Sequence, residues 1–117
     1  LFETALNDGE VITSVSFPVP DKAAYVKFPN PATRYAMVGV FVSDGSQGIR
    51  VAVTGAGING VYRETSFETA LSATFGVAAL DGMKGDENQM ASDIHAAADY
   101  RAHLVGEIAR RAVAACV

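Results

Sequence analysis

The sequence is poor in several features that mark particular classes of protein. It contains one cysteine, Cys116, and no tryptophan. A single thiol can neither form an internal disulfide nor supply a cysteine-based metal site, which suits a reducing cytoplasm. No basic run is present and the net charge is −4, which argues against nucleic acid or an anionic membrane surface as partner. No apolar run reaches the about 20 residues that a membrane span needs, so the chain is predicted not to be transmembrane.

The composition is that of one folded domain. Half of the 117 residues are hydrophobic, enough for a sizeable core, and no linker or repeat divides the chain, so residues 1–117 are predicted to form a single domain. The first residue is Leu, and no charged-then-apolar leader precedes the first strand-like run. We therefore expect a piece of a longer protein without a visible signal peptide.

The first half of the chain has the period of β-strands. Residues Glu10–Phe17 alternate between apolar and polar side chains, which predicts a strand with one wet face. A short strand is predicted over Ala24–Phe28. Two β-branched runs, Tyr35–Ser43 and Gly48–Ala56, flank an Asp-Gly pair, which predicts an antiparallel hairpin.

The second half has helical spacing. Thr65 and Glu68 have the spacing of a capping box at the start of a short helix, which Gly76 would end. Another short helix is possible over Val77–Leu80. The clearest helical pattern covers about Ala96–Ala115, where apolar residues recur every four positions. Glu107 lies four residues before Arg111, the favourable order for an ion pair. Strands followed by helices predict an α+β fold: an antiparallel sheet of three to four strands with helices packed on one face and a long C-terminal helix.

The segment GAGING, Gly55–Gly60, has the glycine spacing of a dinucleotide-binding fingerprint. Such a fingerprint requires a helix that starts within the motif, but Val61 and Tyr62 follow, and the next helix signal is at Thr65. The preceding hairpin also argues against a parallel nucleotide-binding sheet. We therefore predict a glycine-rich strand end that bends or bulges.

No residue pattern predicts a self-contained active site. His95 and His103 are eight positions apart and lack the spacing of metal ligands. No strained nucleophile turn accompanies the many Ser and Thr residues. The carboxylates Asp86 and Glu87 fall in a predicted loop, where a solvated pair is commoner than a general acid and base. We predict neither a catalytic residue nor a metal site.

The loop around FPNP separates two predicted strands and carries aromatic and cationic side chains, among them Tyr25, Lys27 and Arg34. An aromatic ring can stack on a planar ligand, and Lys or Arg can stabilise negative charge on it, as a reduced flavin requires. The alternative is that Lys27 and Arg34 are ordinary surface cations beside buried aromatics.

Four stretches in this order span nearly the whole chain: ETALNDGEVITSVSFPVP, AYVKFPNPATRYAMVGVFV, IRVAVTGAG and SDIHAAADYRAHLVGEIARRAV. Together they resemble the C-terminal domain of the flavoprotein (medium) subunit of aerobic carbon monoxide dehydrogenase, a group within the molybdenum hydroxylases, which include xanthine dehydrogenase. The most specific pieces are the opening Thr4–Glu10 and the closing Asp99–Ala112. The same antiparallel sheet with helices on one side is implied by this resemblance.

The resemblance also implies a function. FAD would be held mainly by two preceding domains of the same subunit, with residues 1–8 as the tail of the second. This domain would close over the flavin edge through Tyr25, Lys27 and, less directly, Arg34. It would also contact the iron–sulfur subunit and the molybdopterin large subunit, from which electrons reach FAD through [2Fe–2S] clusters. The chain would then be part of a cytoplasmic oxidoreductase complex, without catalysis of its own.

Two features depart from this family. Ala97 stands where relatives often have a helix-capping Ser, and the connection from Gly76 to Ser92 is short, which leaves the subunit contact there open. A loss of the cap costs about 1 kcal/mol where nothing replaces it. The alternative function is a small α+β interaction or oligomerisation module that binds no flavin.

Overall fold

The computed structural model describes residues 3–116, and the first regular element begins at Lys22. Leu1 and Phe2, which belong to the predicted tail 1–8, and Val117 lie outside the described residues. None of the helices within 3–116 has the length and apolar character that crossing a membrane requires.

Four strands form one antiparallel sheet in the order β1-β2-β3-β4. They are β1 (Lys22–Pro29), β2 (Ala36–Asp44), β3 (Arg50–Thr54) and β4 (Tyr62–Arg63). The predicted hairpin between the second and third strands is confirmed, and its turn is closed by a bond from the Gly48 amide to the Gly45 carbonyl at 2.8 Å. The two-residue strand β4 was not predicted, because two residues are too short to show a period.

Alternate residues of the strands build the core on one face of the sheet. Val40 lies between Val26 of β1 and Val53 of β3 in the strand register. The side chains of Val40 and Val53 are completely buried, and Val26 packs against the core. Burial of each such side chain stabilises the fold by about 1.5–3 kcal/mol relative to leaving it exposed. The predicted α+β fold with helices against an antiparallel sheet is confirmed.

Helix α1 (Thr65–Ala73) begins where it was predicted, but the capping box is wrong. Glu64 occupies the N-cap position, and no side chain caps the helix. The Glu68 carboxylate accepts bonds from the Val51 amide at 3.0 Å and the Arg63 side chain at 2.5 Å. β4 pairs only with Ala52 and Val53 of β3, so the Val51 amide lies beyond the strand pairing. Glu68 accepts a bond from this amide and does not cap the helix. The helix ends before Gly76, with Thr74 as its C-cap.

Helix α2 (Ala98–Ala115) confirms the long C-terminal helix and packs against β1 and β2. Ala97 is its N-cap residue and makes no side-chain cap bond. The predicted pair of Glu107 with Arg111 is wrong, because Glu107 binds Arg110, which also donates to the Leu80 carbonyl. Two short 3₁₀ helices, Val77–Leu80 and Glu87–Gln89, lie between the α-helices, and the first of them was predicted.

The predicted strand over Glu10–Phe17 is wrong for this chain. These residues have no regular secondary structure, and no strand within 3–116 pairs with them. Val11, Val15 and Phe17 are 75–78% exposed. A strand needs a neighbour to satisfy its backbone groups, so an alternating pattern without a partner does not form one. We call Glu10–Phe17 the N-terminal arm.

Candidate functional site

The candidate site lies on the face of the sheet that the helices leave open. Tyr25 and Lys27 are both exposed on this face of β1, two residues apart and therefore on the same side. In the register, Tyr25 lies opposite Phe41 and Lys27 lies opposite Gly39, both of β2. Phe41 is 37% exposed and Tyr25 48% exposed. This open face therefore presents two aromatic rings beside one ammonium group.

The Tyr25 side chain crosses β2 to reach the third strand. Its hydroxyl lies 3.1 Å from Thr54 Oγ1 of β3. Gly39 lies between them, and a Cβ at Gly39 would be 2.2 Å from the Tyr25 oxygen and 2.4 Å from Thr54 Oγ1. Gly39 is itself buried although it faces the open side, because the tyrosine covers it. The glycine allows the ring to lie across the strand, and the bond to Thr54 holds the hydroxyl there.

Lys27 connects the open face to the loop between β1 and β2. Its Nζ donates to the Arg34 carbonyl at 3.0 Å. Arg34 has a φ of 64°, in the left-handed region that residues other than glycine seldom occupy. Two main-chain bonds of Asn30 close the loop. Its backbone amide donates to the Tyr35 carbonyl, and its backbone carbonyl accepts a bond from the Arg34 amide.

The three predicted site residues therefore lie close together, but two contribute side chains and one contributes a main-chain group. Tyr25 and Lys27 share the open face through their side chains. Arg34 joins them through its main-chain carbonyl, and its side chain is exposed on the loop. One lysine donor is used by the carbonyl, and the ammonium group has two further donors for a ligand.

A buried polar cluster that the sequence did not predict ties α2 to the sheet. Arg101 is 4% exposed, and its guanidinium donates to the carbonyls of Met37 at 2.8 Å and Gly55 at 3.1 Å. It also binds Asp93 at 2.7 Å. The Asp93 carboxylate accepts bonds from the His95 amide, the Ala96 amide and Arg101. These bonds, the one from His95 most strongly, hold the pKa of Asp93 below its usual value. The sequence did contain a signal that Arg101 is buried. This residue lies in the apolar stripe of the helix, four positions before the buried Val105.

The glycine cluster does not form a nucleotide site. Gly55 follows the antiparallel strand β3 with a φ of 75°, and the next helix begins only at Thr65. The cluster bends the chain toward the segment after Glu87–Gln89: the Ile58 amide donates to the Gln89 carbonyl, and Gly57 forms an isolated bridge with Met90. The predicted bend is confirmed. A dinucleotide fingerprint is excluded by the antiparallel pairing, because the motif needs a parallel sheet and a helix starting within it.

The histidines and the cysteine lie apart from the open face. His95 and His103 are exposed, and residues 3–116 contain no group of three or more metal-ligating side chains. Cys116 is the C-cap of α2, half-buried, with its thiol 3.7 Å from the Val42 carbonyl. Burial, the largest influence, raises the pKa of this thiol, which makes it a poor nucleophile.

Comparisons with known proteins give this surface no precedent: no family model, curated protein or solved structure matches the chain. The resemblance to the carbon monoxide dehydrogenase flavoprotein subunit therefore stays a prediction. What the arrangement can do chemically follows from its groups. Two aromatic rings and one ammonium on a flat face can contact a planar ligand that carries negative charge.

Proposed function

We propose that this chain is the C-terminal domain of the FAD-binding medium subunit of a carbon monoxide dehydrogenase-like molybdenum hydroxylase. In this role its open sheet face covers the flavin edge, and the domain contributes to assembly with the iron–sulfur and molybdopterin subunits. It has no catalysis by itself. The observation that supports the proposal most is the placement of Tyr25 and Lys27 on one exposed face, beside Phe41.

The residues of the open face suit an isoalloxazine ring. The Tyr25 ring lies against the sheet over Gly39, where a Cβ would be 2.2 Å from its hydroxyl oxygen. Lys27 holds a positive charge at the edge of this surface, next to the Arg34 carbonyl. When bound, FAD supplies the redox centre of the subunit. The residues of this chain would bind and orient its edge, exclude water, and stabilise negative charge on the reduced ring through Lys27.

The domain would bind the flavin only together with other polypeptide. Tyr25 and Lys27 lie outside the cavity of about 350 Å³ that Phe17, Phe41 and Arg50 line on this face, and small ligands are held in concave sites that cover most of their area. We therefore expect the 117-residue chain to purify without flavin absorbance. Stoichiometric FAD on this chain alone would overturn the division of roles between the domains.

The test uses the whole flavoprotein subunit, whose reading frame should encode two flavin-binding domains before Leu1. Lys27→Ala should leave the fold intact, because the side chain is exposed, and should make the flavin potential more negative and its reduction slower. Lys84→Ala is the matched control, since Lys84 is an exposed lysine that pairs only with Glu87. Unchanged flavin content, potential and rate in Lys27→Ala would remove Lys27 from the site.

The second candidate is an interaction or oligomerisation module that binds no flavin. It is favoured by one observation, the highly exposed apolar side chains of the N-terminal arm. A full-length gene without flavin-binding domains would support this candidate against the first.

A further inference from the structure

The sheet has an unpaired edge of considerable length. β1 is an outer strand of eight residues, and its second edge has no strand partner within residues 3–116. The backbone groups along such an edge can receive another strand. The charged residues of β1 are Lys22 and Lys27.

The N-terminal arm has the properties of the missing partner. It contains eight residues, as β1 does, and alternates between apolar and polar positions. Its apolar side chains Val11 and Val15 are 75% and 76% exposed, and no strand in residues 3–116 pairs with it, although the Glu10 amide donates to the Asn7 carbonyl at 3.1 Å. Burial against the core is the usual state of such a pattern.

Side-chain pairing specifies one antiparallel register between the arm and β1. If Glu10 lies opposite Lys27, then Val11 lies opposite Val26, whose side chain packs against the core. In that register the arm residues Val11, Val15 and Phe17 extend the helix-covered face. Ser14 and Ser16 then lie on the open face. This register therefore places opposite charges beside each other and keeps the alternating apolar side chains on the helix-covered face.

The arm cannot form the whole of this register on its own β1. Phe17 would pair with Pro20, which leaves Pro18 and Val19 as a two-residue hairpin loop. Loops of that length need a positive φ at their first residue, and proline is restricted to a φ of about −65°. Pro20 is also held in place, because it packs on Gly45, and the next amide, that of Asp21, donates to the Asp44 carbonyl at 2.8 Å.

We propose that two copies of this chain exchange their N-terminal arms. The arm of each copy adds as a fifth strand to β1 of the other, antiparallel, with Glu10 opposite Lys27 and Val11 opposite Val26. The exchange is reciprocal, so it closes as a twofold dimer with the Pro18–Pro20 segments near the axis. The exchange pairs the free edge of β1 in both copies.

Sedimentation of the 117-residue chain at increasing concentration tests the dimer. Wild type should pass from monomer to dimer. Glu10→Lys places like charges opposite each other twice per dimer and should raise the dissociation constant about tenfold. The charge-reversed double variant Glu10→Lys/Lys27→Glu should recover most of the affinity. Glu3→Lys, the same change outside the arm, is the control. A chain that stays monomeric, or a double variant no better than Glu10→Lys, would overturn the proposal.

Disulfide cross-linking tests the register and the exchange, with Cys116→Ser as the background. Ser14 and Ala23 lie opposite each other in the proposed register, so a Ser14→Cys chain mixed with an Ala23→Cys chain should oxidise to a covalent heterodimer. Thr13→Cys mixed with Ala23→Cys should not, because those side chains lie on opposite faces. A disulfide within one chain that carries both Ser14→Cys and Ala23→Cys would show closure on its own β1 and contradict the exchange. These readouts need no flavin, so they are independent of the proposed function.

Discussion

The Tyr25 hydroxyl lies 3.1 Å from Thr54 Oγ1, although the two residues belong to strands that are not neighbours in the sheet. The bond passes over Gly39 of the strand between them. A side chain as small as that of alanine would occupy the same space, at 2.2 Å from the tyrosine oxygen. The shape of the open face therefore depends on the absence of a Cβ at one position.

Gly39→Ala should displace the Tyr25 ring and break its bond to Thr54. Because the atoms in the way are the ends of side chains, the ring can move, and we expect a loss of about 1 kcal/mol in the free energy of unfolding. Urea denaturation measures it. Gly76→Ala is the control, since nothing lies within 4 Å of its Cβ position. An equal loss in both variants would contradict the assigned role of Gly39.

Arg101→Met should destabilise the chain more than Gly39→Ala does. It removes the donor to the carbonyls of Met37 and Gly55 and leaves Asp93 without its cation. Leaving buried acceptors without their donor costs about 1–3 kcal/mol. Thermal denaturation would detect this loss. Arg111→Met, at an exposed position of the same helix, should stay within about 0.5 kcal/mol of wild type, and a comparable loss there would refute the distinction.

Glu68 should make the stability of the chain depend on pH in the acid range. Burial, the largest influence, raises the pKa of this carboxyl. The bonds from Arg63 and the Val51 amide together outweigh burial, so the pKa lies below the ordinary 4.5. A depressed pKa contributes stability that is present above the ordinary value and is lost as the pH falls through the folded one.

Glu68→Gln should therefore be less stable than wild type near neutral pH, and the difference should shrink on acidification. Urea midpoints across the acid range measure it. Glu87→Gln is the matched control, since its ion pair with Lys84 is exposed to solvent, where such pairs contribute little. A difference between wild type and Glu68→Gln that does not change with pH would show that the carboxylate charge is not the cause.

Tyr62→Phe should leave the chain as stable as wild type or slightly more stable. The Tyr62 hydroxyl is buried and has no hydrogen-bond partner among residues 3–116. Burial, followed by the nearby charges of Glu64 and Asp86, raises the pKa of this phenol far above its ordinary value. Removing an unsatisfied buried hydroxyl avoids a desolvation penalty of about 1–3 kcal/mol. A clear loss of stability on calorimetry would mean that the hydroxyl has a partner in solution.

Much of the fold could be predicted because its signals are local. The β-branched runs of β2 and β3 and the four-residue spacing of α2 each reflect one buried face, and burial of that face is what stabilises the element. The glycine cluster was interpreted correctly for the same reason, because a fingerprint helix would have to start next to it in the sequence. The adjacent positions of Tyr25 and Lys27 on one face also follow from strand period alone.

The features that the sequence did not predict correctly depend on contacts with other parts of the chain. Glu68 has the spacing of a helix cap, but a free amide of β3 and the Arg63 guanidinium bind it instead. The N-terminal arm has the period of a strand, but a period does not supply a neighbouring strand. Arg101 interrupts an apolar stripe, and only the tertiary structure brings its guanidinium to two carbonyl groups and the Asp93 carboxylate.

Within the strands β1 to β3 and the helix α2, the sequence by itself determined most of the residues that face inward, because the periods of 2 and 3.6 residues follow from backbone geometry and need no knowledge of the partner. The tertiary structure alone decided which polar groups meet. Tyr25 reaches Thr54 only because the β2 register places Gly39 between them. The physical reason is that a hydrogen bond depends on the separation of two atoms to within a few tenths of an ångström, whereas burial of an apolar side chain depends only on the side of the element from which it projects.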